Sequence, residues 1–124
     1  MNRDEAIKSI RPQIQFLNPE QPLEQFQEIL RQVLKLQNDV LLTLSLNFLE
    51  NKYKDYQNRD LTIKDNLLYQ SLKKDIPFKK MLIGTIVGFF TQDELAIYHT
   101  QEQEINKRLV EFIYKRLAKQ IVKA

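Results

Sequence analysis

From Leu23 onward an apolar side chain returns at nearly every third or fourth position. Leu23, Phe26, Leu30, Val33, Val40 and Leu44 form the stripe, Ile29, Leu34 and Leu41 widen it, and Gln37 is its one polar member. A helix completes a turn in about 3.6 residues, so this spacing sets the whole series along one face. A sheet reading fares worse. The chain has 2 glycines and no Asn-Gly or Asp-Gly pair, whereas tight hairpins depend on residues that accept positive φ. One passage pulls the other way: in "VLLTLSLNF", Val40, Leu42, Leu44, Leu46 and Phe48 alternate with Thr43, Ser45 and Asn47. Leucine predominates there over valine and isoleucine, and helical pattern runs into it without a break, so we read it as helix. The expected element is one long helix over about residues 23–54.

Further helices follow from their punctuation. Asn2 is placed to cap a short helix over Arg3 to Ile10, with Asp4 and Glu5 in its first turn. Pro12, Pro19 and Pro22 keep the following arm extended, pinned by Ile14, Phe16 and Leu17. Asp60 or Thr62 caps a helix over about 62–74, with Thr62 and Asp65 spaced as a capping box. Asp75, with Pro77 in the first turn, opens a helix over about 76–90. Thr91 and Glu94 form a stronger box at the start of a C-terminal region over 92–122. Thr100 and Gln103 repeat the spacing, so a kink or break is expected near Thr100. The fold class expected is all-α: a single domain over 1–124, an irregular bundle with residues 76–90 near its centre, and residues 1–22 supplying the short helix and proline-containing arm.

The most apolar run, Met81 to Phe90, holds both glycines. Ten helical residues reach roughly 15 Å, about half of a bilayer's hydrocarbon thickness, so the run cannot span a membrane. Gly84 and Gly88 each cost about 1 kcal/mol of helix propensity relative to alanine. Two readings account for them: a flat face where the long helix packs closely, which is the expected one, or a small apolar pocket left by the absent side chains.

Composition removes several chemistries. The chain contains no cysteine and a single histidine, His99, so thiol nucleophiles, disulfides and the usual multi-histidine metal sites have no residues to build them. No Glu-x-x-His occurs, no serine lies in a Gly-x-Ser-x-Gly elbow, and both glycines are committed to the apolar run rather than to a phosphate loop. A helix-turn-helix in "LIGTIVGFFTQDELAIYHT" would open its recognition helix with Asp93 and Glu94, which repel phosphate. No catalytic residue, cofactor or metal ligand is therefore assigned. With 43% hydrophobic and 28% charged residues, the chain has the balance of a folded globular protein rather than a disordered one. Asp4 and Glu5 stand where a secretory signal needs a basic and then an apolar run, so a cytoplasmic location is expected.

Charge is concentrated at one end. The net charge is +3, yet the segment from Ile105 onward holds Lys107, Arg108, Lys115, Arg116, Lys119 and Lys123 against Glu111 alone. Phe112 and Tyr114 add aromatic surface, and Lys73, Lys74, Lys79 and Lys80 extend the patch if the fold brings them alongside. Such a helix suits an anionic membrane, nucleic-acid phosphates or a partner protein, or it is a docked core helix whose cations offset its dipole.

"IRPQI", "LRQVLKLQND", "NKRL" and "KRLAKQI" together resemble a small family of uncharacterised bacterial proteins of similar length, some of them labelled glyoxalase. The glyoxalase fold pairs βαβββ units and binds metal through His and Glu side chains, whereas this chain shows no such strands. The resemblance implies a helical protein of unknown function and brings no functional residues. The leading functional expectation is a non-catalytic interaction or regulatory module, with a homodimer as one form. The alternatives are nucleic-acid or anionic-membrane binding through the basic helix, and a small apolar-ligand site or enzyme pocket near Gly84 and Gly88.

Overall fold

The computed structural model describes residues 2–11 and 22–121, and these contain seven α-helices, one 3₁₀ turn and no strand. The helices are α1 (Arg3–Ile10), α2 (Pro22–Leu36), α3 (Asn38–Lys52), α4 (Leu61–Lys74), α5 (Ile76–Val87), α6 (Gln92–Thr100) and α7 (Glu102–Ile121), with the 3₁₀ turn at Tyr56–Asn58. The arm with Ile14, Phe16 and Leu17, and Lys123 in the tail, lie outside the described residues. No helix among the described residues is long and apolar enough to cross a membrane.

Local chemistry sets most boundaries. The Asn2 side chain accepts from the Glu5 amide, Asp60 from Thr62 and Asp75 from Phe78. At α6 the Thr91 hydroxyl accepts from the Glu94 amide while the Glu94 carboxylate accepts from the Thr91 amide, a reciprocal box. Each bond satisfies an N–H that the helix itself leaves unpaired. Asp65 does not join the box that its spacing with Thr62 suggested; its carboxylate instead accepts from the Tyr114 hydroxyl, 2.7 Å away on α7. Gln101 alone separates α6 from α7, at φ −140° and ψ 38°.

The long helix expected over 23–54 is two helices. Gln37 leaves helical geometry at φ −95°, ψ 10°, and its side-chain amide donates to the Thr85 carbonyl at 3.2 Å. Thr85 lies in the last turn of α5, where Phe89 and Phe90 donate to Ile86 and Val87 in a tightened turn and pass that carbonyl by. Gln37 thus satisfies a carbonyl that the end of α5 leaves open. The bend in one element and the termination of another meet at a single hydrogen bond. The Arg3 guanidinium donates to the Gly88 carbonyl at 2.7 Å, and Asp4 accepts from the Gln92 amide, so α1 is fastened over the α5–α6 corner.

The core is assembled on α7, which packs against α2, α3, α4, α5 and α6. It presents Ile105, Leu109, Ile113, Leu117 and Ile121 at four-residue steps, all buried. Against them lie Phe26, Ile29, Leu30, Val33 and Leu34 of α2, Leu41 and Leu49 of α3, Leu68 and Leu72 of α4, and Phe78, Leu82 and Ile86 of α5. Each such side chain contributes about 1.5–3 kcal/mol on leaving water.

Here the structure corrects two further expectations. Helix α5 packs against α2, α3, α4 and α7, but only its Phe78, Leu82 and Ile86 stripe is buried; Ile76, Met81, Gly84 and Gly88 are exposed. The glycines do not seat the long helix either. A Cβ placed on Gly84 meets no described atom within 4 Å, and one on Gly88 meets only the Gly84 carbonyl, at 3.1 Å.

The Asp75 cap carries a pH signature. Its carboxyl is held below the usual aspartate value of 3.8, chiefly by the Phe78 amide and then by the hydrogen bond from Lys52. A depressed folded-state value means that the stabilisation is complete above the unfolded value and is lost as pH falls through the folded one. Asp75→Asn keeps a capping oxygen but loses the charge. The wild-type advantage over this variant in urea midpoint is expected at pH 7 and should shrink below about pH 4. A difference that stays constant down to about pH 2 would contradict the assignment.

Candidate functional site

Among the described residues, two basic clefts and one apolar strip offer recognition chemistry. The larger cleft lies between α2, the start of α3 and the last turns of α7. It is an open hollow of about 560 Å³ lined by Arg31, Leu34, Asn38, Phe112, Lys115, Arg116, Lys119 and Gln120. Its floor is a side-chain network. Asn38 Nδ2 donates to Gln120 Oε1 at 2.9 Å while Gln120 Nε2 donates back to Asn38 Oδ1 at 2.7 Å. Arg116 Nη1 donates to the same Asn38 oxygen at 3.3 Å. On the wall, the Arg31 guanidinium lies 5.8 Å from the Phe112 ring centre and pairs with Glu28 one turn back.

The second cleft, of about 380 Å³, runs between α4, α5 and α7. Lys73, Lys79, Lys80 and Lys107 stand around Leu72, Ile83 and Val110. Lys73 is tied to Glu111 at 2.6 Å, and this hydrogen bond is the main cause of its raised pKa. Nearby on α7, Tyr114 donates to Asp65, which with partial burial pushes its hydroxyl up to about 12. It is therefore a neutral hydrogen-bond donor at physiological pH and serves to join α4 to α7.

The basic residues read from the sequence do not form one patch. Lys115, Arg116 and Lys119 line the first cleft and Lys107 the second, while Arg108 is engaged by Glu104 at 3.1 Å. Val110 and Phe112, two positions apart, point about 200° from one another around a helix, so the clefts occupy opposite flanks of α7. Lys73, Lys79 and Lys80 line the second cleft together with Lys107, whereas Lys74 does not line it. Arg31, Asn38 and Gln120 were not singled out from the sequence. Two of them come from other helices, and nothing in their local spacing marks them.

The apolar strip follows the groove between α3 and α5. Leu44, Asn47, Phe48, Asn51, Lys52 and Met81 line an open hollow of about 390 Å³, with the Phe48 ring stacked on Phe78 at 4.0 Å. Val40, 44% exposed, lies one turn before Leu44 on α3, and Gly84 lies one turn after Met81, which is 41% exposed. By helix spacing, Val40 and Gly84 extend the exposed sides of α3 and α5 beyond the hollow. His99 is exposed, 3.9 Å from Glu102, and no group of His, Asp and Glu among the described residues is arranged to hold a metal ion. No family model, curated protein or solved structure matches this chain.

Proposed function

We propose that this chain is a non-catalytic interaction module that pairs with a second copy of itself through the apolar strip between α3 and α5. The observation that carries the reading is the alternation of Met81, which protrudes, with Gly84, which leaves space, on the outer face of α5. Across a two-fold axis the same patch meets itself. Two α5 helices running antiparallel would set each Met81 over the partner's Gly84. Val40, Leu44 and Phe48 would lose their remaining contact with water in the same step, which favours association. Pairing also accounts for Gly84, a glycine inside α5 that weakens the helix while a side chain there would meet no described neighbour within one chain.

Four of the acidic groups are committed to the fold rather than to chemistry at the surface. Glu94 is held by Arg11 and the Thr91 amide, Asp75 by Lys52 and the Phe78 amide, Asp65 by Tyr114 and Glu111 by Lys73. Each is spent on joining or capping helices.

Sedimentation equilibrium of the full chain between about 1 and 500 µM tests the reading, a range that brackets weak to moderate self-association. A concentration-dependent dimer is expected. Met81→Glu and Gly84→Arg should each weaken it at least about tenfold, as truncating a central contact does, with the far-UV spectrum unchanged because both positions face solvent. A wild-type chain that remains monomeric throughout overturns the proposal, as does a dimer indifferent to both substitutions.

A further inference from the structure

The cleft between α2, α3 and α7 contains chemistry that self-association leaves unused. Arg31, Lys115, Arg116 and Lys119 surround one hollow, and among the described residues no carboxylate pairs with the last three. Glu28 is engaged by Arg31, and Asp39 accepts from Asn38 Nδ2 at 3.3 Å. Three uncompensated cations around a concave wall, with the Glu28-paired Arg31 beside them, repel one another and focus a positive potential into the space between them. Cations in the last turns of α7 also offset the negative end of its dipole. That offset explains neither the arginine supplied by α2 nor the contact of Arg116 with the Asn38–Gln120 pair.

The network is informative because it orders a donor before any ligand arrives. The reciprocal Asn38–Gln120 amide pair leaves Asn38 Oδ1 to accept from Arg116 Nη1, and the Gln120 amide also donates to the Arg116 carbonyl at 3.1 Å. This contact occupies one edge of the guanidinium, and its other N–H groups have no partner among the described residues. A guanidinium held in this way suits the two-oxygen edge of a phosphate. Lys115 and Lys119 lie one turn apart beside it, so charge is offered over a span wider than one phosphate. A volume near 560 Å³ lies within the usual range for small-molecule sites. Bilayers and nucleic-acid duplexes require basic residues spread over a broad face, whereas Lys107 is on the opposite flank of α7.

We propose that this cleft binds a small molecule carrying a di- or triphosphate, with Arg116 and Arg31 taking phosphate oxygens and Lys115 and Lys119 balancing the remaining charge. The Phe112 side of the cleft is where a base or other flat apolar group would sit, so inorganic pyrophosphate and a nucleoside triphosphate share the site and differ in what they use of it.

Calorimetric titration of the full chain at low salt, with pyrophosphate, a nucleoside triphosphate and anionic phospholipid vesicles as three separate probes, tests this. Saturable binding of pyrophosphate or the nucleotide below about 1 mM is expected, weakening as salt rises. Lys115→Gln with Lys119→Gln should weaken it at least about tenfold, since charge-assisted bonds are lost. The melting temperature without ligand should change little, because relief of like-charge repulsion and loss of the cations that offset the α7 dipole oppose one another. Lys79→Gln with Lys80→Gln, in the other cleft, should leave affinity unchanged. Tighter binding of the nucleotide than of pyrophosphate would support the apolar subsite. Three results overturn the proposal: no heat with either small probe at about 10 mM, equal losses from the two double variants, or vesicle binding that depends on Lys115 and Lys119 where the small probes do not bind.

Discussion

Glu94→Ala is expected to remove about 3–5 kcal/mol of stability, the cost of leaving a buried charge without its partner. The Glu94 carboxylate is paired with the Arg11 guanidinium, whose side chain is only 5% exposed. The same oxygen accepts from the Thr91 amide at 2.8 Å and completes the box that starts α6. Truncation therefore strands a cation, opens a helix end and frees the residue that follows α1. Arg11 Nε is already buried with no partner among the described residues, and none of these offers it an alternative acceptor. The urea midpoint should fall by more than about 1 M for an ordinary urea dependence. Arg11→Met combined with Glu94→Leu removes both charges. It should recover most of the loss, because the apolar pair needs no desolvated counter-ion. A loss below about 1 kcal/mol in the single variant would mean that water reaches the pair and the contact behaves as a surface bridge.

Phe90→Ala is expected to cost about 3–5 kcal/mol, through lost transfer energy and the cavity left behind. Phe90 is fully buried just beyond the end of α5. Its ring meets the edge of Phe26 at 5.2 Å and of Tyr98 at 5.7 Å, so it joins α2, α5 and α6 at one point. The residue lies in a connection, where backbone alone offers little, and the aromatic cluster keeps the α5–α6 corner seated. Phe90→Leu fills more of the space and should cost distinctly less. Near-equal losses in thermal unfolding for Ala and Leu would show that ring geometry, rather than filled volume, holds the corner.

Both effects concern the corner where α1, α5 and α6 meet, and the sequence discloses its parts unequally. The Thr91–Glu94 box is plain from spacing, because its two bonds join residues within one turn. The Arg11 pairing with the same carboxylate is not, since those residues meet only after the chain has returned across the molecule. Gln37 shows the same division. Its polarity within an apolar seam is visible, yet the bend there goes with the Thr85 carbonyl of α5, an acceptor left open by how that other helix ends.

Helix α5 shows most clearly where sequence reading ends. Apolar or glycine residues occupy both its Phe78, Leu82 and Ile86 stripe and its Met81, Gly84 and Gly88 side, so periodicity cannot choose which faces inward. Packing against α2, α3, α4 and α7 made the choice: it buried the first set and left the glycines facing outward. The division of the α7 cations between two clefts arose in the same way. Their angular positions are intrinsic to the helix, but α2 and α3 on one flank and α4 and α5 on the other determine which neighbours each charge meets. By itself, then, the sequence determined the helical class and most helix starts, because these rest on bonds within a turn. Facing, the bend at Gln37 and the assembly of each cleft were decided by tertiary structure, because they depend on distant surfaces competing to exclude the same water.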